Sequence, residues 1–237
     1  GYIPINTSTD VNSRYEKVKY PNQSASFMMM REDSKEDPSI FLSGPNQWPP
    51  LERFREPLEA YHKTMKELGF QLIKVALHSV GAEQDDILDA FQIPTTWLRL
   101  LHYPSSSGSS SEGVYGSAPH VDFGCLTLLA QDDVGGLQVL YQEKDWLDVP
   151  CLPNSLVLNV GEMLHRLSNG LLQPTPHRVI NHEMQERFSC PFFYDPNVNT
   201  TISPLRGTGK PKFNPICFAE FLESELTAGY SRHQTNA

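Results

Sequence analysis

The sequence predicts a mainly β fold with flanking helices, an antiparallel sandwich or barrel, on three observations. Beyond Pro94 the chain breaks into short apolar or alternating runs separated by turn residues. One longer pattern of helical period precedes them. The 237 residues suffice for a single substantial core, a common size for a one-domain all-β barrel.

Residues 1–50 carry Gly1, Pro4, Pro21, Pro38, Gly44, Pro45, Pro49 and Pro50 among polar residues. That punctuation is too dense for a long regular element and suits an ordered arm or lid. From Pro57, the residues Leu58, Tyr61, Met65, Leu68, Leu72 and Val75 recur every three or four positions and predict an amphipathic helix to about Val80, backing a sheet. Over 83–91, Ile87, Leu88 and Phe91 share a face ahead of Pro94 and predict a second, shorter helix. Strands are predicted over 96–103, 123–130, 137–141, 146–149, 156–160, 177–181 and 187–194. The Ser and Gly run 105–111 reads as a flexible loop, 133–136 and 168–170 as turns, and 218–226 as a closing helix. The chain thus divides into an arm with supporting helices, 1–94, and a β core with its C-terminal helix, 95–237.

Lys and Arg number 19 against 28 Asp and Glu, a net charge of −9 that argues against a nucleic-acid binder and offers no basic patch to a membrane. No apolar run approaches the roughly 18 residues of a membrane span, and the N-terminus lacks a signal-peptide pattern. Cys125, Cys151, Cys190 and Cys217 show no CxxC spacing, which suits reduced thiols in the cytoplasm. The expectation is a monomer acting on a small-molecule substrate.

His120 and Asp122 stand at i and i+2, so an extended backbone presents both on one face about 7 Å apart along the strand, able to converge on one ion. His177, opening a strand-like run after a Pro-rich approach, is the candidate third ligand. Two imidazoles and a carboxylate leave positions open on an ion, as non-haem Fe(II) requires for a chelating co-substrate and oxygen. An HxD alone is weak evidence among eight histidines. His62 and His78 fall in the helix, His182 near a strand and His233 in the tail, all read as solvated or structural. His102 and His165 fall in β runs and are either core packing or substrate contacts. Arg187 and Ser189 share one face of a strand, with Phe188 on the other, and together form a fork and a hydroxyl suited to a carboxylate.

With these residues in hand, the segments LRLLHYP, APHVDFGCLTLLAQDDVGGLQVL, WLDVPCLPNSLVLNVGEMLHRLSNG, PTPHRVIN and RFSCPFFYDP, in that order, resemble the plant-type, isopenicillin-N-synthase-like family of 2-oxoglutarate/Fe(II) dioxygenases. The resemblance implies a distorted double-stranded β-helix, a jelly roll of cupin-like type, with iron on His120, Asp122 and His177 near one mouth. It implies 2-oxoglutarate as co-substrate, held at its far carboxylate by Arg187 and Ser189 and contacted by Tyr103, with O2 as oxidant, succinate and CO2 as products, and ascorbate as a supporting reductant. Departures are Leu101-His102-Tyr103-Pro104 where the family often reads Asn-Tyr-Tyr-Pro, and Glu162 where Asp is more usual. Family members carry a strand and helix before a stretch like Gly1-Tyr2-Ile3-Pro4, so a fragment or a short member is expected, with unpaired barrel edges if that segment is lacking. The substrate pocket is expected to be apolar, drawn from Tyr115, Phe123, His165, Phe193 and Tyr194, with the stretch 44–49 in a lid. The alternatives are an iron oxidase of the isopenicillin N synthase or aminocyclopropane-carboxylate oxidase type, which needs no 2-oxoglutarate, and a binding protein retired from catalysis. Succinate release separates the first of these from the dioxygenase.

Overall fold

A computed structural model of the chain describes residues 1–8, 15, 18, 20–32, 42, 44–83, 85–106 and 113–231. The arm supplies strands β1 (Tyr2–Ile3) and β2 (Ala25–Met30), followed by helix α1 (Arg55–Ser79) and the short α2 (Asp85–Leu88), which runs on into a 3-10 turn at Asp89–Phe91. Then come β3 (Thr95–Tyr103), β4 (Ser117–His120), β5 (Leu126–Gln131), β6 (Leu137–Tyr141), β7 (Asp145–Asp148) and β8 (Val157–Val160). Helix α3 (Glu162–Leu167), β9 (His177–Val179), β10 (Arg187–Asp195), β11 (Thr201–Ile202), β12 (Ile216–Cys217) and α4 (Phe218–Ser231) complete the order. Most of the predicted 105–111 loop lies outside the described residues.

Two antiparallel sheets make a double-stranded β-helix. The larger has the order β1-β2-β3-β10-β5-β8 and the smaller β4-β9-β6-β7. Alternation along the strands gives the larger sheet two different faces. Leu98, Leu126, Leu128, Phe192 and Tyr194 point to the main core, where they meet Met65, Ile73 and Leu77 of α1, Met163, Leu164 and Leu167 of α3, and Phe218 and Leu222 of α4. The intervening residues face the smaller sheet, and there Tyr103, Leu137 and Val179 form a second cluster, with Leu101, Leu129 and Val157 against it.

Four elements add to the sequence expectation or depart from it. The arm is not wholly irregular, because β2 pairs along β3 from Ala25↔His102 to Met30↔Trp97 and so continues the sheet. The stretch 44–49 is tied to that strand: Asn46 exchanges hydrogen bonds with the Met30 backbone at 2.9 Å in both directions, and Trp48 packs on Phe27. Residues 162–167, read within a strand-rich stretch, are the helix α3, too short to display a period of its own.

The buried stripe of α1 is also offset from the predicted one, running through Met65, Gly69, Ile73 and Leu77, while Leu68 and Val75 are exposed. Gly69 explains the offset, since its bare backbone is where the helix comes nearest the sheet. A Cβ there would lie 2.7 Å from the Tyr194 ring. That ring has little freedom to move, being stacked on Phe91 with its hydroxyl donating to the Phe91 carbonyl at 3.0 Å.

Replacing Gly69 by Ala removes about 1 kcal/mol of helix-propensity penalty but imposes overpacking of about 1–3 kcal/mol. Gly69→Ala is therefore expected to melt below the wild type in a thermal scan; a higher melting temperature would show that the Tyr194 ring yields. His62 on α1 supplies a second expectation, its Nε2 meeting Thr96 Oγ1 at 2.8 Å and its ring edge-on to Phe192. Burial, aided by Lys66, pushes its pKa down from 6.5 to about 4. The unfolded chain then binds the proton first, so stability present above pH 6.5 is lost as the pH falls toward 4. Urea titrations should show a shallower acid loss in His62→Gln, whose amide keeps a polar contact with Thr96 but does not titrate.

Candidate metal centre

The smaller sheet assembles the two histidines. The last residue of β4 pairs with the first of β9, in register His120↔His177, and their ring centroids lie 4.3 Å apart. Each Nδ1 faces a backbone carbonyl, Ala118 at 2.7 Å for His120 and Thr175 at 3.0 Å for His177. Both contacts require the proton on Nδ1, which leaves both Nε2 lone pairs for a shared ion. Asp122 lies just beyond the end of β4, and its Oδ1 is 3.6 Å from His120 Nε2 and 3.7 Å from His177 Nε2. Among the described residues these three form the one His, Cys, Asp or Glu group able to hold a metal, with ligand atoms all within 4.8 Å.

Asp122 is buried, and its second oxygen accepts from Thr127 Oγ1 at 2.5 Å and from Asn159 Nδ2 at 2.7 Å. Burial alone would raise its pKa, but His177, His120 and the Thr127 hydroxyl outweigh that and hold the carboxyl well below the usual carboxylate range. An ionised oxygen therefore faces the two imidazoles. The turn that carries it is clamped from beneath, where the Cys125 N–H donates to the buried Asp195 carboxyl at 2.6 Å. Gly124 leaves the room this requires, for a Cβ there would overlap the Asp195 carboxyl. Burial pushes the Asp195 pKa up to about 7, against the opposing pull of the Cys125 hydrogen bond.

A cavity between the sheets joins this cluster to Arg187 and Ser189. Arg187 is 1 % exposed, and one amino group donates to Gln131 Oε1 at 2.9 Å while its guanidinium lies 4.9 Å from the Tyr103 ring centroid. Among the described residues its Nε and Nη1 are buried without a hydrogen-bond partner. The site thus presents the two imidazoles and one carboxylate of a divalent transition-metal site at one place and an unmatched guanidinium, beside the Ser189 hydroxyl, at another.

Among the other residues singled out in the sequence, Phe193 lines the cavity; Tyr115, Phe123, His165 and Tyr194 lie elsewhere. Tyr194 follows Phe193 and so points to the opposite face of β10, into the main core. His165 corrects the β-run reading: it sits on α3, Nδ1 against the Leu172 carbonyl at 2.7 Å and ring against Phe213. Phe123 meets Phe221 of α4, Tyr115 lies beneath the Arg178 guanidinium, and His102 stacks on Phe188, which is exposed. The sequence reading passed over Thr127, Asn159, Gln131 and Arg99. Only Arg99 had a local signal, sharing the 99, 101, 103 alternation with Tyr103; the others are recognisable from the strand partners that place them.

The 2OG-Fe(II) oxygenase superfamily model matches residues 94–196. A 2-oxoglutarate-dependent dioxygenase of Monascus ruber, citB, is 33% identical over 224 residues, which is 89% of this chain and 66% of the relative. The 2-oxoglutarate-Fe(II) type oxidoreductase hxnY of Emericella nidulans is 34% identical over 80% of this chain and 57% of its own. The chain therefore spans less than two thirds of these relatives' length. Full-length Neurospora crassa T7H, solved in complex with alpha-KG, superimposes with a TM-score of 0.79 at 27% identity, over 96% of this chain and 74% of that one. The fold and the donor set are those of the jelly-roll oxygenases, and the chain belongs to the 2OG-Fe(II) oxygenase superfamily. Fe(II) and 2-oxoglutarate are the cofactors of that family, and the donor set and the orphaned guanidinium fit both.

Co(II), whose visible bands report its ligands, serves as a probe of the cluster. Asp122→Ala is expected to abolish the saturable Co(II) spectrum, and Thr127→Val to weaken Co(II) binding by roughly 10- to 100-fold, the usual penalty for losing a group that orients a ligand. Unchanged titrations in both would exclude the cluster as a metal site.

Proposed function

We propose that this chain is the catalytic core of an oxygenase that holds Fe(II) on His120, Asp122 and His177 and uses 2-oxoglutarate and O2 to oxidise a small molecule, releasing succinate and CO2. The observation that carries this is Arg187. A buried guanidinium with two unmatched nitrogens is strongly unfavourable unless an anion completes it, and a dicarboxylate reaching from the metal cluster would do so.

Bound in the cluster, the iron supplies the oxidising chemistry, with 2-oxoglutarate as the electron source. The chain's own residues position and enclose. Arg187 and Ser189 take the far carboxylate, and Tyr103 forms a floor under the guanidinium. Thr127 and Asn159 keep the Asp122 carboxylate turned toward the histidines. Leu101, Leu129, Leu137, Val157 and Val179 exclude water from the space between. The free thiols of all four cysteines fit a cytoplasmic setting.

The test is an anaerobic titration of Fe(II) and then 2-oxoglutarate, following the visible charge-transfer band of a keto acid chelated to ferrous iron. The band should form in the wild type. In Arg187→Ala its half-saturation should rise by roughly 10- to 150-fold, the range for losing hydrogen bonds to a charged group, while the iron requirement stays put. Iron binding with no band, or oxygen uptake without succinate, would favour the oxidase that dispenses with 2-oxoglutarate.

A further inference from the structure

The cavity is lined by a second guanidinium besides that of Arg187. Arg99 stands on β3, on the same face as Leu101 and Tyr103, and lines the cavity with them. It lies four residues from Tyr103, about 13 Å along the strand, and Tyr103 is the residue paired with Arg187. The two guanidinium groups therefore address different parts of the space.

The metal cluster fixes which part Arg99 faces. Asp122 hangs from Thr127 and Asn159, and Thr127 pairs across β10 with Phe193, which in turn pairs with Trp97 of β3. Arg99 is thus one inward step from the level of the metal cluster, on the β3 side of β10. A dicarboxylate reaching from that cluster to Arg187 on β10 would leave the β3 side, between Arg99 and Phe193, to another ligand.

The side chain is held and left incomplete. Its Nε donates to Ser26 Oγ of β2 at 2.9 Å, Ser26 being itself buried. Among the described residues its two terminal amino groups make no hydrogen bond and it makes no ion pair. The one acid among the described lining residues is Asp122. The charges of a ferrous ion, a 2-oxoglutarate dianion, Asp122 and Arg187 cancel, so Arg99 leaves the loaded cavity one positive charge in excess. A planar fork in an otherwise apolar wall of Leu101, Pro191 and Phe193 matches one ligand chemistry best, a carboxylate on an apolar body.

We propose that Arg99, steered by Ser26, is the substrate anchor, and that the substrate is a small apolar carboxylic acid bound between Arg99 and Phe193. This rests on the cofactor reading above and adds the substrate class to it. The experiment uses the protein loaded with Fe(II) and 2-oxoglutarate without oxygen. Hexanoate, benzoate and phenylacetate are added against their primary amides, and the paramagnetic broadening of each probe's proton resonances is read. At least one acid should broaden at concentrations about tenfold or more below its amide, by the strength of a charge-assisted pair. Arg99→Gln should erase that preference and leave the 2-oxoglutarate half-saturation within about twofold of wild type. Ser26→Ala, which keeps the charge but frees the fork, should reduce the preference partway, and it serves as the test if Arg99→Gln melts early. Acids that bind no better than amides, or a preference that survives Arg99→Gln, would overturn the proposal. A rise in the 2-oxoglutarate half-saturation like that of Arg187→Ala would move Arg99 into the co-substrate anchor and overturn it as well. If the wild type forms no 2-oxoglutarate band, the cofactor reading itself fails, and this proposal with it.

Discussion

The wall of the cavity that carries its cations hangs on the pairing of β10 between β3 and β5. Both neighbours hold it in antiparallel register, Arg187↔Tyr103 on one side and Ser189↔Gln131 on the other. Alternation then fixes the faces: Arg187, Ser189 and Phe193 turn inward, Phe192 and Tyr194 outward. A one-residue slip would bury Phe188 in the cavity and expose the guanidinium to the helices. Such a slip is opposed by the outer face, where Tyr194 is locked against Gly69 and Phe91. The core behind the sheet thus sets the register on which the site in front of it depends.

The electrostatics of the site follow from where charges are left without partners. Asp122 lies between two imidazoles and two hydrogen-bond donors, so its charge is well supported even though it is buried. Arg187 has support from Gln131 and the Tyr103 ring but, among the described residues, no anion. Low polarizability around a group makes an unmet charge more demanding, and here the demand is directed into the cavity that joins Arg187 to the metal cluster.

Much of this was legible in the sequence where the information is local. HxD and RxS alternate over two positions, a spacing that one strand interprets without help, and the order of the surrounding segments carried the family. What depends on distant partners was not legible. That His120 faces His177 is a fact of β4–β9 pairing, and that Thr127 and Asn159 reach Asp122 is a fact of the β5–β8 pairing and of the turn that carries Asp122. The buried stripe of α1 followed Gly69 rather than the largest side chains, because the helix backbone closes on the Tyr194 ring there, a contact that periodicity does not register. The strand β2 acquires its regularity from β3, and α3 is shorter than two helical turns, so neither announces itself in its own composition.

The ligand triad belongs to the smaller sheet and the turn beyond it, whereas Arg99, Leu101 and Phe193 belong to the larger. That separation gives the scaffold modular evolvability. Substitutions at Arg99 and Leu101 on the inward face of β3 can change what the cavity accepts while His120, Asp122 and His177 keep their supports, so a lineage built on this frame can diversify its selectivity and inherit its triad intact.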